Sequence, residues 1–87
     1  MERYRITIKP SAIGELDGVR RKRDRQRIVS RISRLADSPR PGGCEKLSGR
    51  TALYRIRQGD FRIVHKIDDA DQLIRIIKIG QRKDVYR

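Results

Sequence analysis

Hydrophobic and polar positions follow two rhythms along this chain. Residues 3–9, RYRITIK, set Tyr4, Ile6 and Ile8 on one side and Arg3, Arg5, Thr7 and Lys9 on the other, the period of an amphipathic strand. Pro10 ends that strand, and Ser11 can cap a short helix with Ala12, Ile13 and Leu16 on its apolar side. Gly18 breaks or bends this helix. The period then becomes helical from about Arg20 to Ala36, where Ile28, Val29, Ile32, Leu35 and Ala36 fall near the i, i+3, i+4, i+7 stripe. Asp37-Ser38-Pro39-Arg40-Pro41-Gly42-Gly43 is a breaker loop, and Lys46-Leu47-Ser48-Gly49 follows it.

Period two returns in LYRIRQGDFRIVHKI. Gly59-Asp60 reads as a two-residue turn between alternating runs, a strong hairpin signal. Counting outward pairs Gln58 with Phe61, Arg57 with Arg62, Ile56 with Ile63, Arg55 with Val64 and Tyr54 with His65. Tyr54, Ile56, Phe61 and Ile63 then share one face; Arg55, Arg57 and Arg62 share the other. His65 falls on the apolar face as a packed or half-buried histidine. Asp68-Asp69-Ala70-Asp71 is a polar turn into a third strand, Gln72 to Ile79. Its LIRIIKI core is nearly continuous apolar sequence, as in a central strand covered on much of both faces. Gly80 ends it and leaves a basic tail from Gln81 to Arg87. The order β-α-α-β-β-β predicts an α+β domain over residues 1–87, with a two-helix hairpin on one face of a small, largely antiparallel sheet.

Charge gives the hairpin a meaning. Like charges directly opposed destabilise a strand pair, so Arg57 against Arg62 with Arg55 nearby predicts an anion between them. Phosphate fits best, because the guanidinium fork matches its oxygens. The composition agrees: 23 Lys+Arg against 11 Asp+Glu give a net charge of +12, which attracts nucleic acid or anionic membrane. The arginines between Arg20 and Arg34 form either a solvated helix face or a contact with RNA phosphates. No apolar run approaches the roughly 18 residues of a membrane span, and MERYRITIKP lacks the apolar stretch of a signal peptide. A lone Cys44 excludes an intrachain disulfide and reads as an incidental loop thiol. A cytoplasmic protein with no membrane partner is expected.

The chemistry narrows by subtraction. One histidine, no cysteine–histidine spacing, no glycine-rich phosphate loop and no Ser/His/Asp set predict an enzyme, if it is one, without metal or cofactor. Its reactive groups are then arginine, lysine and tyrosine. RNA cleavage suits them, since RNA brings its own nucleophile in the 2′-hydroxyl. The protein must align that oxygen, stabilise the extra negative charge on phosphorus and protonate the departing oxygen.

YRIRQGDFRIVHKIDD followed by IIKIGQRKDVYR resembles the RelE-type toxins of bacterial toxin–antitoxin modules, within the RelE/ParE superfamily. The likeness runs the length of the chain, and its specific part spans Lys46 to Tyr86. It implies a fold like that of microbial ribonucleases and metal-independent cleavage of mRNA in the A site of the 70S ribosome. It also implies a cognate antitoxin, with operator DNA reached only through the toxin–antitoxin complex. By the same resemblance, Arg55 and Arg57 stand where relatives use basic residues for proton transfer and charge stabilisation. Arg62 matches the arginine on the reacting phosphate, Arg82 the one that assists the leaving group, and Tyr86 the tyrosine that orients or stacks on the nucleotide. Lys46, Gln81 and Lys83 are assigned to substrate binding.

Two departures from the family pattern matter. Arginine at position 55 replaces a lysine that could act as base, so the general base is unassigned. Gln81 stands where relatives often carry histidine, and glutamine cannot shuttle a proton. Two other readings stay open: a ParE-like inhibitor of DNA gyrase that cleaves nothing, and a degenerate toxin acting mainly in an operator-bound repressor complex. The antitoxin is expected to offer carboxylates along the helical surface and the exposed sheet edge.

Overall fold

The structure, a computed structural model, describes residues 3–47 and 52–81. Its elements are β1 (Arg5–Ile8), α1 (Pro10–Asp17), α2 (Lys22–Arg34), β2 (Glu45–Lys46), β3 (Leu53–Gln58), β4 (Phe61–Asp68) and β5 (Leu73–Gln81). The five strands form one sheet in the order β1-β5-β4-β3-β2. β1 runs parallel to β5, and every other pair is antiparallel. The α+β architecture is the one expected, with one strand more: the two-residue β2 pairs with β3.

Several boundaries differ from the sequence reading, each for a local reason. Pro10 opens α1; Lys9 is the N-cap residue, and Ser11 lies inside the helix without capping it. The fixed φ of proline suits the first helical position, where its missing N–H leaves no bond unmade. α2 is shorter than Arg20–Ala36; Leu35 and Ala36 are buried in the turn that follows it. Val29 is exposed rather than part of the core, because it lies about 100° around the helix from Ile28. Gly80 does not end β5: Gly80 and Gln81 remain paired with Arg62 and Phe61 of β4.

The core lies between the helices and one face of the sheet. Ile28, Ile32 and Leu35 meet Ile56, Ile63, Ile67, Ile74, Ile76 and Ile79. Each fully buried isoleucine contributes roughly 2 kcal/mol. β5 supplies three of these residues through a bulge: Val64 pairs with Lys78 but His65 with Ile76, so Ile77 is the extra residue. The bulge shifts the side-chain phase by one, bringing Ile79 into the core after Ile74 and Ile76.

Two further details frame the arginine face. Gly59 has φ of +60°, the sign that the first position of a type II′ hairpin turn requires. β1 pairs with β5 only as far as Ile76, and beyond it Glu15 of α1 takes over. Its Oε1 accepts the Ile79 N–H at 3.1 Å and its Oε2 accepts from Lys78 Nζ at 3.0 Å. That carboxylate occupies a stretch of strand edge that would otherwise be open to pairing. No described helix is long and apolar enough to cross a membrane.

Candidate functional site

The β3–β4 register agrees with the outward count from Gly59-Asp60 at all the pairs named above. Arg57 therefore faces Arg62 across the ladder, on the side of the sheet away from the isoleucine core. Directly opposed side chains have Cβ atoms about 5 Å apart, so two guanidinium groups can flank one phosphate. On its other side Arg62 pairs with Gly80, which adds no side chain to that face. Arg57 is exposed, whereas Arg62 is only 3% exposed and Arg55 only 7%.

The two buried arginines differ in their partners. Arg55 Nη2 donates to Glu45 Oε2 at 2.7 Å, an ion pair set by the cross-strand match of Glu45 with Arg55. Arg62 Nη1 donates to the carbonyl of its own neighbour, Phe61, at 3.4 Å, and has no carboxylate among the described residues. A guanidinium is a permanent cation. Burying one without a counter-charge is unfavourable by several kcal/mol in order of magnitude, and a bound oxyanion would offset that.

Of the residues assigned from sequence, the fold brings together Arg55, Arg57 and Arg62. Lys46 pairs with Tyr54 and Gln81 with Phe61, each one ladder step out of phase with the arginines. Both are exposed. Arg82, Lys83 and Tyr86 lie outside the described residues. Glu45 is the member of the cluster that sequence reasoning missed; a strand of two residues carries no alternation to reveal it.

A second polar cluster lies at the other end of the hairpin, on the apolar face. Arg40 donates to Asp69 Oδ2 at 2.8 Å and to the Tyr54 hydroxyl at 3.1 Å, and its guanidinium stands 5.1 Å from the centre of the Tyr54 ring. Tyr4 donates its hydroxyl hydrogen to Asp69 at 2.6 Å. The bond from Arg40, then that from Tyr4, holds the Asp69 carboxyl below its ordinary range. Asp69 in turn raises the pKa of Arg40 and that of Tyr4. His65, 0% exposed, sits beside Tyr54 with ring centres 5.8 Å apart. Its Nε2–H donates to the Pro39 carbonyl at 3.0 Å, and Nδ1 has no partner among the described residues. Burial pushes the imidazole pKa down, and the charge on Arg40 adds to that. His65 is thus a structural residue that docks the Pro39–Arg40 loop. Cys44, half-buried in the same loop, has its thiol pKa raised by burial.

Residues 6–86 match the family model of the ParE toxin of type II toxin–antitoxin systems, parDE. The chain belongs to the ParE toxin family. As a RelE/ParE superfamily toxin it is also similar to solved structures carrying the RelE name. The archaeal RelE–RelB complex from Pyrococcus horikoshii OT3 shares 28% identity over 91% of this chain and 94% of that one, with a TM-score of 0.81. The toxin–antitoxin complex RelBE2 from Mycobacterium tuberculosis shares 20% over 92% and 99%, with a TM-score of 0.78. The YoeB/ParE toxin from Agrobacterium tumefaciens shares 19% over 90% and 98%, with a TM-score of 0.74. The last two likenesses are of fold alone. No curated protein matches the chain. This ParE-family toxin therefore has a scaffold used under both names, and its chemistry must be argued from its own residues.

Proposed function

We propose that this toxin is a ribosome-dependent endoribonuclease that cuts mRNA in the A site by attack of a 2′-hydroxyl on the adjacent phosphate. The observation that carries the reading is Arg62: a buried guanidinium, opposite Arg57 and with no carboxylate among the described residues. As the 2′-oxygen attacks, the phosphate oxygens gain negative charge. Arg57 and Arg62 would bind that species more tightly than the ground state, the condition for acceleration. Alignment of the attacking oxygen would come from the ribosome, which holds the mRNA.

The partner implied by the family is an antitoxin. Complexes with RelB are what the Pyrococcus structure shows for its own toxin. Here the groove along Leu16 and Val29, flanked by Lys22 and Arg25, suits an amphipathic segment bearing carboxylates. A cytoplasmic location follows from the same reading.

The test is mapping of mRNA 5′ ends after brief induction without antitoxin, for the wild type and Arg62→Ala. New 5′-hydroxyl ends inside translated codons, absent in the variant and when A-site entry is blocked, are the expected result. The ParE name of the matching family favours a second reading, inhibition of DNA gyrase without cleavage. Intact mRNA with accumulation of cleaved gyrase–DNA complexes would select it. Intact mRNA with normal growth would select a degenerate toxin.

A further inference from the structure

We propose that Gly80 is the seat of the nucleoside joined to the phosphate between Arg57 and Arg62, a bare point on β5 over which the RNA strand enters the adjoining cleft; the inference rests on the ribonuclease reading above. Arg57, Arg62 and Gly80 are successive partners across β3, β4 and β5, so this row of the arginine face holds two cations and then no side chain. The neighbouring row runs Arg55, Val64, Lys78. Its last member is drawn to the sheet edge, where Lys78 Nζ donates to Glu15 Oε2 at 3.0 Å. β5 thus brings no head group of its own against Arg62.

The backbone does not ask for glycine here. Gly43 and Gly59 are the described glycines in the left-handed region, with φ of +83° and +60°, and Gly80 is not one of them. It lies in a regular stretch of ladder that continues to Gln81 opposite Phe61. Strands disfavour glycine, which packs nothing and has the most freedom to lose. A strand glycine without a conformational need marks the close approach of a ligand or of another backbone. Among the described strands no second backbone closes on it from the far side, because β1 stops pairing with β5 at Ile76.

Space lies there instead. Gly80, partly exposed, lines a cleft of about 580 Å³ between the α1–α2 turn and the β4–β5 end of the sheet. Arg20, Arg21 and Lys78 in its wall are matched by Glu15, Asp24 and Asp60, so the cleft is electrically balanced. A phosphate gains little in such surroundings and much between two guanidinium groups. An uncharged ribose and base suit a polar, balanced cleft of this size. The arginine row therefore takes the phosphate, the cleft takes the nucleoside, and Gly80 is where the two meet.

The experiment compares wild type, Gly80→Ala and Gly80→Val by thermal melting and by single-turnover cleavage on programmed ribosomes at saturating toxin. Gly14→Ala is the control, at an exposed position of α1 where an added Cβ meets nothing within 4 Å. Both Gly80 variants should melt at or above the wild-type temperature, since a side chain suits a strand of ordinary φ. Both should nonetheless cleave more slowly, by about 10-fold for alanine and about 10²-fold or more for valine, because added bulk displaces the reacting strand. Gly14→Ala should cleave at the wild-type rate. Cleavage by Gly80→Val at close to that rate overturns the inference. So does a loss that fails to grow from alanine to valine, since bulk is then not what the substrate meets. A lower melting temperature in Gly80→Ala overturns it as well, because the glycine then serves the fold. Absence of cleavage by the wild type overturns the ribonuclease reading itself.

Discussion

Arg40 and Arg62 are arginines set against opposite faces of the same hairpin. Arg40 has a carboxylate, a hydroxyl and an aromatic ring within reach, and its neighbours Asp69 and Tyr54 are themselves engaged. Arg62 is more deeply buried and, among the described residues, has a single long bond to the adjacent backbone. The first arrangement is closed: every charge has its complement inside the chain, and the result is a loop pinned to a sheet. The second is open among the described residues, which bring Arg62 no complementary charge. Satisfaction of its partners, more than burial or charge, separates a structural arginine from one poised for a ligand.

That contrast breaks most readily at Arg62. Replacement by alanine should lower ribosome-dependent cleavage by about 10²-fold or more, the usual effect of removing one transition-state donor. It should not lower the melting temperature, because a buried charge with no carboxylate partner among the described residues is being removed. Full activity in Arg62→Ala, measured on programmed ribosomes, would erase the distinction.

His65 sharpens the closed end through pH. Burial holds the folded pKa below the ordinary 6.5, so the unfolded chain takes up the proton first as the solution is acidified. The stabilisation is complete above about pH 6.5 and declines below it, by up to about 1.4 kcal/mol per pH unit, until the folded pKa is reached. Urea unfolding at a series of pH values should show this slope, and His65→Phe should flatten it.

Arg40→Met is the counterpart of the first variant. It should lower the melting temperature modestly, as expected for a partly exposed ion pair, and leave cleavage close to wild type. An unchanged melt would show that the closed cluster contributes nothing measurable. The smallest effect belongs to exposed Arg57. Its replacement by alanine should reduce the slope of log affinity for single-stranded RNA against log salt by about one contact's worth, seen in a salt titration.

How much of the molecule is legible in the sequence follows from how local each interaction is. The hairpin can be registered pair by pair because a two-residue turn fixes the ladder, so counting alone sets Arg57 opposite Arg62. The two helices are legible from their periods, though Val29 shows that a one-residue difference around a helix is harder to read. The bulge at Ile77 leaves only a faint mark, isoleucines three apart where strict alternation would place a lysine inward. β2 leaves none. The closed cluster depends on Tyr4, Arg40, Tyr54, His65 and Asp69, drawn from separate elements that only the finished fold assembles. Glu45 belongs to the same class: its ion pair with Arg55 depends on a cross-strand neighbour, not on adjacent residues.

The strand order has a consequence for how the protein is made. β5 emerges from the ribosome after the other elements described here, yet in the sheet it lies between β1 and β4. Among the described residues β1 has no other strand partner, so it must wait for almost the whole described chain to be synthesised. Long-range parallel pairing of this kind forms late and slowly. A nascent toxin therefore cannot complete its sheet while most of it is being translated. Until β5 appears, the growing polypeptide carries β1 and β4 with the edges that β5 will cover still unpaired.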